Sequence, residues 1–157
     1  MRYYYFFIIS IFLFFSACTG VDSQINQSFK NTGNTISIKD LTSSDYRLSD
    51  AGSKLEDALE DKIARSVFII TQESPSYVLK YKVLNYRGGS RLTRFSTFGL
   101  SKSAHGKLEV KVALYKEGEK VGAWTVDAWI KGGALGGNTG TLFHQVADEI
   151  MNHLRGD

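Results

Sequence analysis

The chain contains a single cysteine, Cys18, and a single proline, Pro75. A lone cysteine excludes an intramolecular disulfide and any metal site built on several thiolates. Histidine is scarce as well: His105, His144 and His153 share no ligand spacing, so no metal centre is expected. No apolar run reaches the roughly 20 residues that a membrane-crossing helix needs. Neither sign of charge dominates, because 19 Lys and Arg stand against 16 Asp and Glu, a formal net charge of +3. That excess is too small to call for nucleic acid. A hydrophobic content of 43% beside 22% charged residues is that of a folded chain, and 157 residues suit one domain better than two. Catalytic patterns are missing too. No serine sits in a Gly-x-Ser-x-Gly elbow and no carboxylates form a recognisable acid/base pair, so enzymatic activity is not expected.

What is present begins at the N-terminus. Met1-Arg2 is a short positive start, and Tyr3 to Phe15 is an uncharged stretch rich in Phe, Ile and Tyr. The small residues Ser16-Ala17 follow, just before Cys18. This is the layout of an export signal over residues 1–17. Its removal takes away Arg2 and no acid, leaving 18 basic against 16 acidic residues, or +2. The segment Phe15-Ser16-Ala17-Cys18 resembles the lipobox of bacterial lipoproteins, with Phe15 where leucine is usual. The resemblance implies that the Cys18 thiol takes a diacylglycerol and its freed amine an acyl chain, with no other cofactor. Each buried CH₂ of such chains contributes about 0.8 kcal/mol to membrane binding. The competing readings are an ordinary secretory signal with an incidental cysteine, and an uncleaved anchor. Thr19, not aspartate, follows the cysteine. By resemblance to enterobacterial lipoproteins this implies the outer membrane, with the domain facing the periplasm.

Residues Thr19 to Asn34 are polar and read as a flexible tether, the alternative being a loop packed on the domain. The expected division is therefore signal 1–17, lipidated N-terminus and tether 18–34, and one domain over 35–157. Thr35 to Lys39 alternates as a strand. Ser49 or Asp50 can cap a helix in which Leu48, Ala51, Leu55, Ala58, Leu59 and Ile63 recur at three- and four-residue spacing. Its other face carries Glu56, Asp57, Glu60 and Asp61, read as solvated. Val67 to Thr71 is apolar and β-branched, and reads as a second strand. Ser76 to Tyr86 alternates with Tyr77, Leu79, Tyr81 and Val83 inward. Leu108, Val110, Val112 and Leu114 repeat the pattern, Glu117-Gly118-Glu119 turns the chain, and Val121 to Lys131 returns it. Leu142, Phe143, Val146, Ala147, Ile150, Met151 and Leu154 form the stripe of a final helix. The order β-α-β-β-β-β-α predicts an α+β two-layer sandwich, mostly antiparallel, with both helices on one face.

Three features stand out as contact candidates. The run from Gly132 to Gly140 leads from a strand into a helix, a place where backbone N–H groups can cradle an anion, but no lysine follows its last glycine and the phosphate-loop pattern fails. A close-packed or flexible linker is the simpler reading. Arg91, Arg94 and Lys102, interleaved with Phe95 and Phe98, could grip an anionic headgroup, sugar or phosphate; otherwise the aromatics extend a hairpin and the cations are solvated. Trp129 lies on the strand face opposite Trp124 and either packs there or marks a contact.

From Ser76 onward these elements resemble the domain of unknown function 4410, found in bacterial envelope lipoproteins. The resemblance is carried by the Gly88-Gly89 turn, the Arg91/Arg94 and Phe98-Gly99 segment, the strand at 108–114, and the strand, glycine run and helix from 121 on. Tyr115-Lys116-Glu117-Gly118 departs from the aspartate-containing hairpin of such domains. The family has no established activity, so the resemblance implies fold and address alone. The expectation is a membrane-anchored accessory or assembly protein with an envelope protein partner; the alternative is a binding module for an anionic envelope ligand.

Overall fold

The computed structural model describes residues 18–89, 105–131 and 138–156. The elements within them are β1 (Cys18–Gln27), β2 (Thr35–Asp40), α1 (Tyr46–Ala64), β3 (Ile69–Ile70), β4 (Tyr77–Arg87), β5 (Gly106–Lys116), β6 (Glu119–Lys131) and α2 (Gly140–Arg155). The strands form one sheet in the order β1-β6-β5-β4-β2-β3. β2 runs parallel to both of its neighbours, and the remaining pairs are antiparallel. Both helices pack on one face, which makes the α+β two-layer sandwich read from the hydrophobic pattern.

Alternation decides which face is covered. Tyr77, Leu79, Tyr81 and Val83 of β4, Leu108 to Leu114 of β5, and Trp124 to Ile130 of β6 turn their buried members to the same side. Against them lie Ala51, Leu55, Ala58, Leu59 and Ile63 of α1 and the whole predicted stripe of α2. The β5–β6 hairpin closes through Glu117 (φ 52°) and Gly118 (φ 86°). Two successive positive φ values give a turn whose twist matches that of the strands.

Four details differ from the sequence reading. The tether expected over 18–34 is not one: Cys18–Gln27 is an edge strand antiparallel to β6, with Cys18 opposite Lys131 and Ile25 opposite Trp124. The following segment is held as well. Phe29 packs edge-on to Tyr77 and Trp124, and Thr32 N donates to the Tyr77 hydroxyl at 2.8 Å. The reason is that an edge strand needs little apolar sequence when a free neighbouring edge supplies its hydrogen bonds. The order is therefore β-β-α-β-β-β-β-α. Helix α1 begins four residues earlier than a cap at Ser49 would allow, because Asp45 Oδ1 accepts from Arg47 N. The strand expected at 67–71 contracts to Ile69–Ile70, both exposed at the sheet edge, with only Phe68 buried.

α1 approaches the sheet most closely at Gly52. A Cβ there would strike the Asp40 carboxylate and lie 3.2 Å from Thr42 Oγ1. The Tyr81 hydroxyl donates to Gly52 O at 2.9 Å. Burial, and then the nearby Asp40 and Glu56, push that hydroxyl far above its ordinary pKa, so it stays a donor at every physiological pH.

Candidate functional site: the Cys18 end of the sheet

Cys18 is the first residue of β1, so the backbone at the expected acylation point is already part of the sheet. Across the strands its end of the sheet holds Ile130 opposite Gly106, and Arg87 opposite Lys107. On the face away from the helices, Trp129 is half-buried over Gly20: a Cβ at Gly20 would fall 2.5 Å from Trp129 Cζ2. Trp129 thus packs on the open face, using the absence of a side chain on the edge strand.

Trp129, Arg87, His105, Gly106, Lys107 and Asp127 line a shallow hollow of about 340 Å³. Its lysine is already neutralised. Lys107 Nζ lies 3.0 Å from Glu109 Oε2 and 3.0 Å from Asp127 Oδ1, and these bonds, Asp127 foremost, hold its pKa above the ordinary value. Arg91, Arg94 and Lys102 lie outside the described residues, as do 132–137 of the glycine run. Gly140, where the run enters α2, borders a cleft of about 330 Å³ with Lys54, Asp57, Tyr86 and His144. Lys54 is bound there to Asp50 at 2.6 Å, so among the described residues the cleft offers little uncompensated positive charge. Among the described residues no group of three His, Cys, Asp or Glu is arranged to hold a metal ion, and no helix is long and apolar enough to cross a membrane.

One polar cluster escaped the sequence reading. His153 is buried on α2 and stacks on Trp124, with centroids 5.3 Å apart and planes 5° from parallel. Its Nε2 is 2.9 Å from Ser23 Oγ, and Ser23 Oγ donates to Glu149 Oε1 at 2.5 Å. Serine, histidine and glutamate are the members of a hydrolytic triad, but the connectivity is wrong. In a triad the acid orients the imidazole from the nitrogen that does not face serine. Here serine and glutamate both lie at Nε2, and the serine proton is already directed to the carboxylate. The cluster is a latch that ties edge strand β1 to α2. The signal for it was spacing: His153 sits three residues after Ile150 and seven after Val146, on the buried stripe.

Burial holds the His153 imidazole below its ordinary value of 6.5, against an opposing pull from Glu149. Below about pH 6.5 the unfolded chain protonates this group while the folded chain resists. Its contribution to stability is therefore complete above that pH and lost as the pH falls through the window beneath it. Thermal unfolding followed between about pH 7.5 and pH 5 should show a smaller acid-induced decline for His153→Gln than for the wild type. Equal slopes would show that the buried imidazole is not a source of the acid sensitivity.

The fold and this site define a two-layer α+β module with the candidate acylation residue paired into its edge strand. No family model and no curated protein matches the chain, so the likeness to the domain of unknown function 4410 rests on the residues quoted for it. Solved structures do match. A PelC dodecamer from Paraburkholderia phytofirmans superposes with a TM-score of 0.57 at 12% identity, covering 89% of this chain and 99% of that one. A minor lipoprotein from Acinetobacter baumannii gives 0.50 at 13% identity, covering 78% and 90%. At these identities the likeness is one of fold.

Proposed function

We propose that this chain is a lipid-anchored protein of the bacterial envelope, acylated at Cys18, that acts without catalysis, through contacts with copies of itself and with an envelope partner. The observation that carries the reading is the position of Cys18. It is the chain's sole cysteine, it follows a signal layout, and it lies in a strand hydrogen-bonded into the sheet. The two neighbours agree with it: one is a lipoprotein by description, and the other a dodecamer. Thr19 after the cysteine favours the outer membrane, with the domain on the periplasmic side.

The missing tether gives this anchor a geometric consequence. Extended chain reaches at most about 3.5 Å per residue, and no free residue separates Cys18 from the sheet. Acyl chains on Cys18 therefore hold the Cys18 end of the sheet directly against the membrane surface. The connectivity of Ser23, His153 and Glu149 supports the non-enzymatic part of the reading. The rival reading, a site for an anionic envelope ligand, draws no support from Lys107, whose charge two carboxylates already offset.

Cys18→Ser tests the anchor. The wild type should sediment with membranes and need detergent for release, whereas the variant should lose that behaviour almost completely. Equal partitioning of the two proteins would assign the N-terminal segment to ordinary secretion or to an uncleaved anchor.

A further inference from the structure

The sheet face turned away from the helices carries a block of lysines. Lys39 lies opposite Lys80 on adjacent parallel strands, and Lys82 lies opposite Lys111 on adjacent antiparallel strands. Lys80 Nζ is 4.1 Å from the centre of the Tyr115 ring. Among the described residues no carboxylate comes within ion-pair distance of these four ammonium groups. Like charges directly across a sheet destabilise it, and Lys107 on the same face shows how carboxylates relieve such a charge. Among the described residues of one copy nothing relieves this block.

The opposite side of the molecule has the complementary surplus. On α1, Lys54 is paired with Asp50 and Lys62 with Asp148, while Arg65 beyond its end is paired with Asp61. Glu56, Asp57 and Glu60 are left with no cation in ion-pair distance among the described residues. Glu56 feels their company: burial first, then Glu60, Asp40 and Asp57, raise its pKa above the ordinary value. The helix layer and the open sheet face lie on opposite sides of a two-layer domain, so one copy cannot satisfy both. One helical turn rises about 5.4 Å and neighbouring strands lie about 4.8 Å apart, so an acidic ridge on a helix matches the grid of lysines.

We infer that the Lys39/Lys80/Lys82/Lys111 face of one copy docks the Glu56/Asp57/Glu60 face of α1 of a second copy. The inference rests on the self-assembly part of the reading above and names its contact. The joined surfaces differ, so the contact is head-to-tail and can repeat into a ring or a filament. A membrane is the poorer occupant for the lysines. The anchor places lipid at the Cys18 end of the sheet, and Lys82 and Lys80 lie five and seven residues back along β4 from Arg87 at that end, about 17 and 23 Å away at the rise of a strand.

The test uses the lipidated full chain in non-ionic detergent, with assembly read by sedimentation velocity and native mass spectrometry. Wild-type assembly should weaken as salt is raised. Lys82→Glu/Lys111→Glu and Glu56→Lys/Glu60→Lys should each weaken self-association by about tenfold or more. An equimolar mixture of the two variants should recover it, because each then offers the face that the other lacks. Should the lysine reversal fail to fold, as judged by circular dichroism, Lys82→Gln/Lys111→Gln reads the same weakening. Variants that assemble like the wild type would overturn the contact and leave self-assembly standing, as would weakened variants whose mixture does not recover. A wild type that stays monomeric would overturn the self-assembly reading and the contact together. Loss of binding to phosphatidylglycerol vesicles by the lysine variant, with assembly unchanged, would give the face to the membrane and overturn the inference.

Discussion

Trp124→Ala should cost about 3–5 kcal/mol of folding stability, a large share of the roughly 5–15 kcal/mol that holds a domain together. Trp124 is almost wholly buried on β6, opposite Val112 of β5 and Ile25 of β1. Its ring carries more than its own area. His153 stacks on it, and Phe29 meets it edge-on at 6.3 Å. Removing the indole opens a cavity and strips the apolar cover from an imidazole whose partner, Ser23, holds the edge strand. The strand that begins at Cys18 should loosen first. Urea unfolding measures the total, and amide hydrogen exchange in residues 18–27 should lose protection beyond the global change. A loss under about 1 kcal/mol would mean that Trp124 is not the centre of this packing.

Gly52→Val should destabilise by about 2–3 kcal/mol, through overpacking and not through a cavity. Helix propensity alone argues the other way, since glycine within a helix is worse than alanine by about 1 kcal/mol. Contact decides the sign. The added Cβ meets the Asp40 carboxylate, and that carboxylate is not free to swing aside, because its Oδ1 accepts from Thr42 N at 2.7 Å where the chain leaves β2. The Tyr81 hydroxyl fixes the same spot of helix backbone. Relief requires α1 to lift from the sheet or the turn after β2 to open. Gly52→Ala should cost less, its clash being partly offset by propensity. A Gly52→Val protein as stable as the wild type in urea would show that α1 has slack against the sheet.

Legibility followed burial. Strands β4, β5 and β6 have one covered face, so their alternation was readable residue by residue, as was the stripe of α2. β1 was not readable, because Thr19 to Gln27 is polar and an edge strand draws its stability from a neighbour's backbone. The Val67 to Thr71 run misled in the other direction: apolar composition suggested a strand, yet only Phe68 enters the core and Ile69 and Ile70 remain exposed at the edge. Of the candidate contacts, Cys18 was marked by its local context. The lysine block was half visible, since alternation set Lys80, Lys82 and Lys111 opposite the core residues, but their juxtaposition with Lys39 depends on strand register. Ser23, Glu149 and His153 come from the two ends of the domain, and no local pattern joins them.

The intact mass of the protein extracted from membranes decides whether Cys18 is its lipid-bearing N-terminus. The expected mass is that of a chain that starts at Cys18 and carries a diacylglycerol on its thiol and an acyl chain on its amine. A mass that retains residues 1–17, or one with an unmodified Cys18, would contradict it.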